Sequence, residues 1–290
     1  MARYLFSALL FVGLCFQGAQ AAVRYVSLAG GNVAPYETPA DAATSIQTAI
    51  DASVNGDIIQ VSAGTYTLTA PIEFGYKAVT VQSESGRAVT IVDGQNQHRC
   101  FRTRVGGAKI DGFTIRNGLA PDTYLGVYSY GGGVHCEGGG TVENCIVESC
   151  TADYGAGIRL FTYGTVRNCI VRNNTGTTYD GNGSGGGIYT TKGGTIEDTT
   201  VYGNTAAGSG GGISFKVDGS ATRCTIYNNT AASLGGGVYC RDGGSISDSH
   251  IYGNEAQYGG GIRLYYASSG NIPSASKCRI NDNRAPNGYG

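Results

Sequence analysis

Gly210-Gly-Gly-Ile-Ser-Phe215, followed by Cys224-Thr-Ile-Tyr-Asn-Asn229, decides the fold because it comes back. One unit later the chain reads Gly235-Gly-Gly-Val-Tyr-Cys240 and then Ser249-His-Ile-Tyr-Gly-Asn254. Related runs begin at Gly131, Gly155, Gly185 and Gly259, so the steps between them are 24, 30, 25, 25 and 24 residues. The long step holds a Gly/Asp/Asn-rich insertion around Thr177 to Ser184, which reads as a loop. A fixed period of this length is the mark of a stacked, quasi-one-dimensional architecture.

Inside each unit the period is two. After the glycines stand Val134, Ile158, Ile188, Ile213, Val238 and Ile262, and two positions on stand Cys136, Leu160, Thr190, Phe215, Cys240 and Leu264. A later column reads Phe113, Cys145, Cys169, Thr199, Cys224, Ser249 and Cys278. Two residues beyond it lie Ile115, Val147, Val171, Val201, Ile226, Ile251 and Ile280. Alternation places each such pair on one face of a strand. Helical repeats would show the i, i+3, i+4 spacing and do not tolerate three consecutive glycines. The pattern predicts coils of three short strands and three turns. Each strand pairs with its counterpart one coil on, at about 4.8 Å, so like residues stack on like.

Composition agrees. Glycine supplies 49 of 290 residues without a collagen period, and 41% hydrophobic content with a net charge of −1 excludes a disordered chain. The same near-neutral charge removes the electrostatic argument for a nucleic-acid partner or an anionic membrane. Residues 1–21 read as an export signal: Arg3, an apolar run from Leu5 to Phe16 too short to span a bilayer, and small residues at Ala19-Gln20-Ala21. No later stretch is apolar enough for a membrane helix. Without Cys15, eight cysteines remain, and an even count in an exported chain invites a disulfide reading. The register favours interior packing thiols for Cys145, Cys169, Cys224 and Cys278. A Cys145–Cys169 bridge is geometrically possible without being required.

Asn174, Asn204, Asn229, Asn254 and Asn283 form a further column, with Cys150 in the same place one coil earlier. Asparagine tolerates left-handed turns, and stacked amides can hydrogen-bond from coil to coil, so the column is expected to be a structural ladder.

These glycine-rich repeats and their asparagine column resemble the right-handed parallel β-helix, or pectin-lyase-like, superfamily. The N-terminal stretch Ser45-Ile-Gln-Thr-Ala-Ile-Asp-Ala52, then Asn55-Gly-Asp-Ile-Ile-Gln-Val61 and Ala63-Gly-Thr-Tyr66, agrees with it. In that superfamily such a segment is a capping helix followed by the opening strand. Ile46, Ala49 and Ile50 would supply the face that covers the open end of the stack. The implied fold is all-β, a single-stranded right-handed parallel β-helix with an N-terminal capping helix. The organisation expected is a signal peptide over 1–21, the cap and first strands over 22–75, and coils over 76–290. Asn283 to Gly290 repeats the lead-in to a new coil, so the stack is expected to be truncated at its C-terminal end.

The superfamily holds lyases, hydrolases, adhesins and inert surface proteins alike, so chemistry has to be sought in side chains. Its polysaccharide hydrolases use clustered aspartates with Gly-His-Gly and Arg-x-Lys elements, neither of which occurs here. Acid and base carboxylates would have to converge at about 5–9.5 Å. The charged residues instead fall in columns of mixed sign: Asn144, Asn168, Asp198, Arg223, Asp248, Lys277; Glu143, Arg167, Glu197; and Arg116, Glu148, Arg172. Such alternation neutralises charge on an outer face. Asp198, Arg223 and Asp248 are the best catalytic candidates, and calcium enters only if the chain is a lyase. His98, His135 and His250 occupy unrelated positions with no metal-ligand spacing, and His98 beside Arg99 and Cys100 reads as a surface turn.

Tyr202, Tyr227 and Tyr252 share one outward position in three successive coils and are the candidate ligand-binding residues. Tyr189 and Tyr239, with Arg159 and Arg263, line another row. Exposed aromatic rows can pack on sugar faces or partner side chains, or simply on one another. Gly-Gly-Gly-Ile followed by Val201-Tyr-Gly-Asn204, Ile226-Tyr-Asn-Asn229 or Ile251-Tyr-Gly-Asn254 is similar to the repeats of polymorphic outer-membrane protein passengers. Here Val or Ile stands where those have Phe. That resemblance implies an exported, non-catalytic surface or adhesin-like module whose partners are surface glycans or other envelope proteins. A carbohydrate-active enzyme on the same scaffold is the competing expectation.

Overall fold

The structure, a computed structural model, describes residues 21–120, 128–177, 183–266 and 271–288. The expected signal peptide lies outside the described residues except for Ala21, as does most of the insertion expected around Thr177 to Ser184. Within them the chain winds as a stack of parallel coils. Thr141–Glu143 belongs to a first sheet, Ile146–Glu148 to a second, Thr151–Ala152 to a short fourth and Ile158–Thr162 to a third. Thr165–Arg167 then returns to the first sheet, paired with the strand one coil before. The first, second and third sheets hold ten, nine and eight described strands. The described inter-strand pairings are parallel, as a coil of constant handedness requires.

The expected register holds. Ile188 pairs with Ile213 and Ile213 with Val238 in the third sheet, and Val171 pairs with Val201 and Val201 with Ile226 in the second. These side chains are fully buried and form one continuous core with Phe101, Phe113 and Phe215. Cys145, Cys169 and Cys224 lie inside as free, buried thiols, and Cys278 is partly covered. Small thiols and hydroxyls alternate with Ile, Leu and Phe because the interior of one coil is narrow.

The asparagine column is a ladder in the literal sense. The Nδ2 of Asn174 donates to Oδ1 of Asn204 (2.9 Å), Asn204 to Asn229 (2.9 Å), Asn229 to Asn254 (3.0 Å) and Asn254 to Asn283 (2.9 Å). Each Oδ1 also accepts the main-chain N–H of the asparagine one coil earlier. The backbone nitrogen of Cys150 uses Asn174 in the same way, so the column begins one coil before its first amide. The left-handed conformation falls one residue earlier than expected, on Asn173, Gly203, Asn228 and Gly253 (φ 53°, 63°, 52° and 62°). The ladder asparagines point inward, and their neighbours make the corner.

A second left-handed corner separates the first sheet from the second. It holds Asn144, Asn168, Asp198, Arg223, Asp248 and Lys277, with φ between 48° and 54°. This charged column therefore sits on a corner and not on a flat strand face. The glycine runs solve a different problem. Gly210 is itself left-handed (φ +65°), whereas Gly212 is needed for closeness: a Cβ there would lie 2.6 Å from the Gly237 carbonyl oxygen.

Helix α1 (Ile46–Ala52) closes the first coil. The Ser45 hydroxyl accepts from the Thr48 N–H as its N-cap, and Ile46, Ala49 and Ile50 are buried against the stack. The first sheet runs unbroken from Val23–Val26 through Ile58–Val61 to Thr80–Ser83, so the strands on either side of residue 75 belong to one sheet.

Candidate functional site: a tyrosine-lined groove on the third sheet

Alternation in the third sheet puts one side chain outward between each pair of core residues. Paired strand by strand, that row reads His135, Arg159, Tyr189, Ser214, Tyr239, Arg263. Two residues farther along the chain in each coil stand Phe161, Thr191, Lys216 and Arg241. The rim comes from the residue before each glycine run: Tyr130 bridges to Tyr154, Tyr154 to Ser184 and Ser184 to Ser209. Sheet floor and rim enclose a groove of about 470 Å³.

Its walls are aromatic. Tyr154 lies 5.1 Å from Tyr128, 5.5 Å from Tyr130 and 5.1 Å from Tyr189 between ring centres. At their centre sits Arg159, only 7% exposed, its guanidinium carbon 3.7 Å from the Tyr130 ring centre and 4.9 Å from that of Phe161. Such stacking holds a cation in place without neutralising it. Arg159 Nη2 donates to Thr191 Oγ1 (3.3 Å) and Nη1 meets His135 Nε2 at 3.0 Å, while Nε has no partner. Among the described residues no carboxylate forms an ion pair with Arg159. Burial lowers its pKa below the ordinary guanidinium value.

His135 takes its state from the same surroundings. Burial first, and then the positive charges of Arg159, Arg99, Arg102 and Arg104, push its pKa down to about 2. A neutral ring can accept from Arg159 through Nε2, which leaves its proton on Nδ1. Arg99, expected at a surface turn, is buried instead and donates to the carbonyls of Tyr130 and Gly131. It thereby fixes the rim. Tyr189 stays a neutral phenol, because burial pushes its pKa up to about 12. Among the described residues that line the groove there is no Asp or Glu, and His135 touches the groove residue Arg159 from the adjacent coil.

The other candidates lie elsewhere. Tyr202, Tyr227 and Tyr252 are in register on the second sheet and stack face to face, 4.8 and 5.0 Å apart with interplanar angles of 7° and 3°. Their ring faces cover one another, and Arg172 Nη1 donates to the Tyr202 hydroxyl (2.9 Å). Edges and hydroxyls are what this row turns outward. At the first corner, Arg223 forms a bidentate pair with Asp198 (Nε–Oδ1 2.7 Å, Nη2–Oδ2 2.9 Å), and both are exposed. Asp248 lies across a shallow depression with Arg223, His250, Lys277 and Arg279, but no ion pair joins it to Arg223 among the described residues. Of the expected column neighbours, Glu143 pairs with Arg167 (2.8 Å) and Glu148 with Arg172 (2.7 Å), whereas Arg116 pairs with Asp93 (2.7 Å) and, among the described residues, no ion pair joins Arg116 to Glu148 or Arg167 to Glu197. Among the described residues no cluster of three or more His, Cys, Asp or Glu could hold a metal ion, and no helix is long and apolar enough to cross a membrane.

A sequence-family model described as the right handed beta helix region matches residues 99–285. The chain belongs to that family. No curated protein sequence matches this β-helix protein. Solved structures similar to it include pectate lyase Pel9A, at 13% identity and a TM-score of 0.54 over 93% of this chain and 79% of that one. A pectin methylesterase from carrot is similar at 10% identity and a TM-score of 0.52, over 85% of this chain and 82% of its own. The pectin methylesterase PemA from Erwinia chrysanthemi is similar at 8% identity and a TM-score of 0.52, with 94% of each chain covered. At these identities the likeness shows that the β-helix fold is shared, and function has to be argued from the groove.

Proposed function

We propose that this β-helix protein is an exported, non-catalytic module of the cell surface or extracellular space that binds glycans in the groove on its third sheet. The observation that carries the reading is the groove's composition. Several tyrosine rings and the Arg159 guanidinium converge on one concave surface whose described lining holds no carboxylate, and the histidine beside Arg159, His135, is buried and neutral. Aromatic side chains with polar tips pack on the apolar faces of sugar rings while their hydroxyls and a guanidinium hydrogen-bond the rim of the sugar. Glycoside or uronate chemistry would need an acid, a base or both at the bound bond. The Asp198–Arg223 pair does not serve as one, because each group is held by the other in solvent. The reading of residues 1–21 as an export signal and the likeness of the repeats to those of outer-membrane passengers support the location.

The test is a panel of polysaccharides offered to the purified mature chain, scored both for binding and for product release. Binding without turnover, weakened several-fold by Tyr239→Ala, is the expected result, in keeping with about 0.5–1.5 kcal/mol for an aromatic contact. Release of unsaturated or reducing sugar ends, abolished by Arg223→Ala, would make the protein an enzyme acting at the corner.

A further inference from the structure

The first sheet begins where the sequence places the end of the export signal. Ala22 directly precedes the strand Val23–Val26, and its carbonyl accepts the N–H of Ile58 (2.9 Å), which pins it beside the strand Ile58–Val61. Its nitrogen donates to Oδ1 of Asp57 (2.9 Å). Asp57 is fully buried, where a carboxylate is rare without partners. Its Oδ2 accepts from Arg24 Nε (3.0 Å) and from the N–H of Val54 (3.0 Å), which follows helix α1 and its C-cap Ser53. Burial works against the charge, yet the N–H groups of Val54 and Ala22 and the Arg24 guanidinium together hold the carboxyl below the ordinary carboxylate value. Among the described residues Arg24 is the one cation paired with Asp57, and its Nη1 is turned to the Pro35 carbonyl (2.7 Å).

We propose that export processing converts this amide contact into an ion pair: cleavage of the Ala21–Ala22 bond leaves an α-ammonium on Ala22 that binds the buried Asp57 carboxylate and locks the N-terminal end of the stack. This rests on the export reading above. Two independent observations meet at one nitrogen. The small residues Ala19 and Ala21 put the scissile bond there by sequence, and the hydrogen bond from Ala22 to Asp57 is there by structure. In the cleavage, water gives its oxygen to the Ala21 carbonyl carbon as the C–N bond breaks. Ala21 leaves as a carboxylate, and both hydrogens of the water end on the Ala22 nitrogen as an ammonium, the form that dominates at neutral pH. One neutral donor thus becomes a charged one, and a charge-assisted hydrogen bond is roughly twice as strong as a neutral one. Asp57 joins the first strand to the turn after α1, so the gain falls on the contact that ties strand and cap together. Ala21 is exposed, so nothing in the fold has to move to accommodate the new terminus. The precursor lacks this charge, and the mature chain has it.

Four chains test the inference: residues 22–290 and 21–290, each with Asp57 and with Asp57→Asn. All begin with an α-ammonium, and the two lengths have the same net charge, so the extra residue only moves the ammonium away from Asp57. The denaturant midpoint of 22–290 is expected to exceed that of 21–290, and the difference to vanish with Asp57→Asn. Acylation of the α-amine at neutral pH is expected to be at least about tenfold slower in 22–290 than in 21–290. Both comparisons of length are made on the wild-type sequence and stand even where Asp57→Asn does not fold. Equal midpoints or equal acylation rates overturn the ion pair. Mass spectrometry of the exported product is expected to show Ala22 as its first residue. A start at any other residue overturns this inference and leaves the export reading standing, whereas a chain that stays uncut overturns the export reading as well.

Discussion

His135 stays neutral in the fold first because it is buried and then because the Arg159 guanidinium stands beside it. The folded pKa of His135 is depressed to about 2, against 6.5 in an unfolded chain. Between those values the unfolded state binds more protons than the folded one, so stability rises with pH and is lost on acidification below 6.5. The slope approaches about 1.4 kcal/mol per pH unit once the unfolded histidine is protonated. Denaturant titrations between pH 6.5 and 5 should therefore show a falling midpoint for the wild-type chain and a flatter one for His135→Gln. Equal slopes would mean that His135 titrates normally in the fold. The interior thiols make a second prediction at this scale. Burial pushes Cys136 and Cys224 up to about 11 and Cys150 and Cys240 up to about 12, and Cys278 alone of the eight is partly exposed. A thiol reagent at neutral pH should label no more than Cys278 in the folded chain, and all eight after denaturation. Inward alternation made this burial legible in the sequence. The fate of Arg99 was not legible, because its carbonyl partners lie at Tyr130 and Gly131, more than thirty residues away.

At the scale of elements, the ladder and the tyrosine row look alike in sequence and differ in energy. Asn229 Oδ1 satisfies two buried donors of Asn204, and its Nδ2 reaches the carbonyls of Val201 and Tyr227 as well as Asn254. Asn229→Ala strands those groups in the core at about 1–3 kcal/mol each, so a loss of several kcal/mol is expected in chemical denaturation. Tyr227→Ala breaks two half-buried ring stacks worth about 0.2–1 kcal/mol each and should cost less than about 2 kcal/mol. Under the groove reading it leaves glycan binding unchanged. A ladder mutant as mild as the tyrosine mutant would contradict this ranking. Both rows could be read from spacing, and so could the row of Arg159, Tyr189 and Tyr239 that floors the groove. The rim could not be read from the columns used. Its signal was present in Tyr130, Tyr154, Ser184 and Ser209, each directly before a glycine run, but serine and tyrosine share no hydropathy that would make them a column.

For the whole molecule, register is what turns local chemistry into a surface. Opposite charges in the first and second sheets pair one coil apart, while in the third sheet Arg159 lies against the Tyr130 ring with no ion-pair partner among the described residues. The repeat made the stack legible from the sequence alone. It left open which face is concave, because the rim residues Tyr130, Tyr154, Ser184 and Ser209 share no hydropathy pattern that marks them. Hydrogen–deuterium exchange of the mature chain with and without a bound glycan locates the functional face directly. Protection confined to Ile188–Lys192, Ile213–Phe215 and Val238–Arg241, together with the rim around Tyr130 and Tyr154, is the predicted result. Protection centred on the corner of Arg223 and Asp248, or on the strands of Tyr202, Tyr227 and Tyr252, would contradict it.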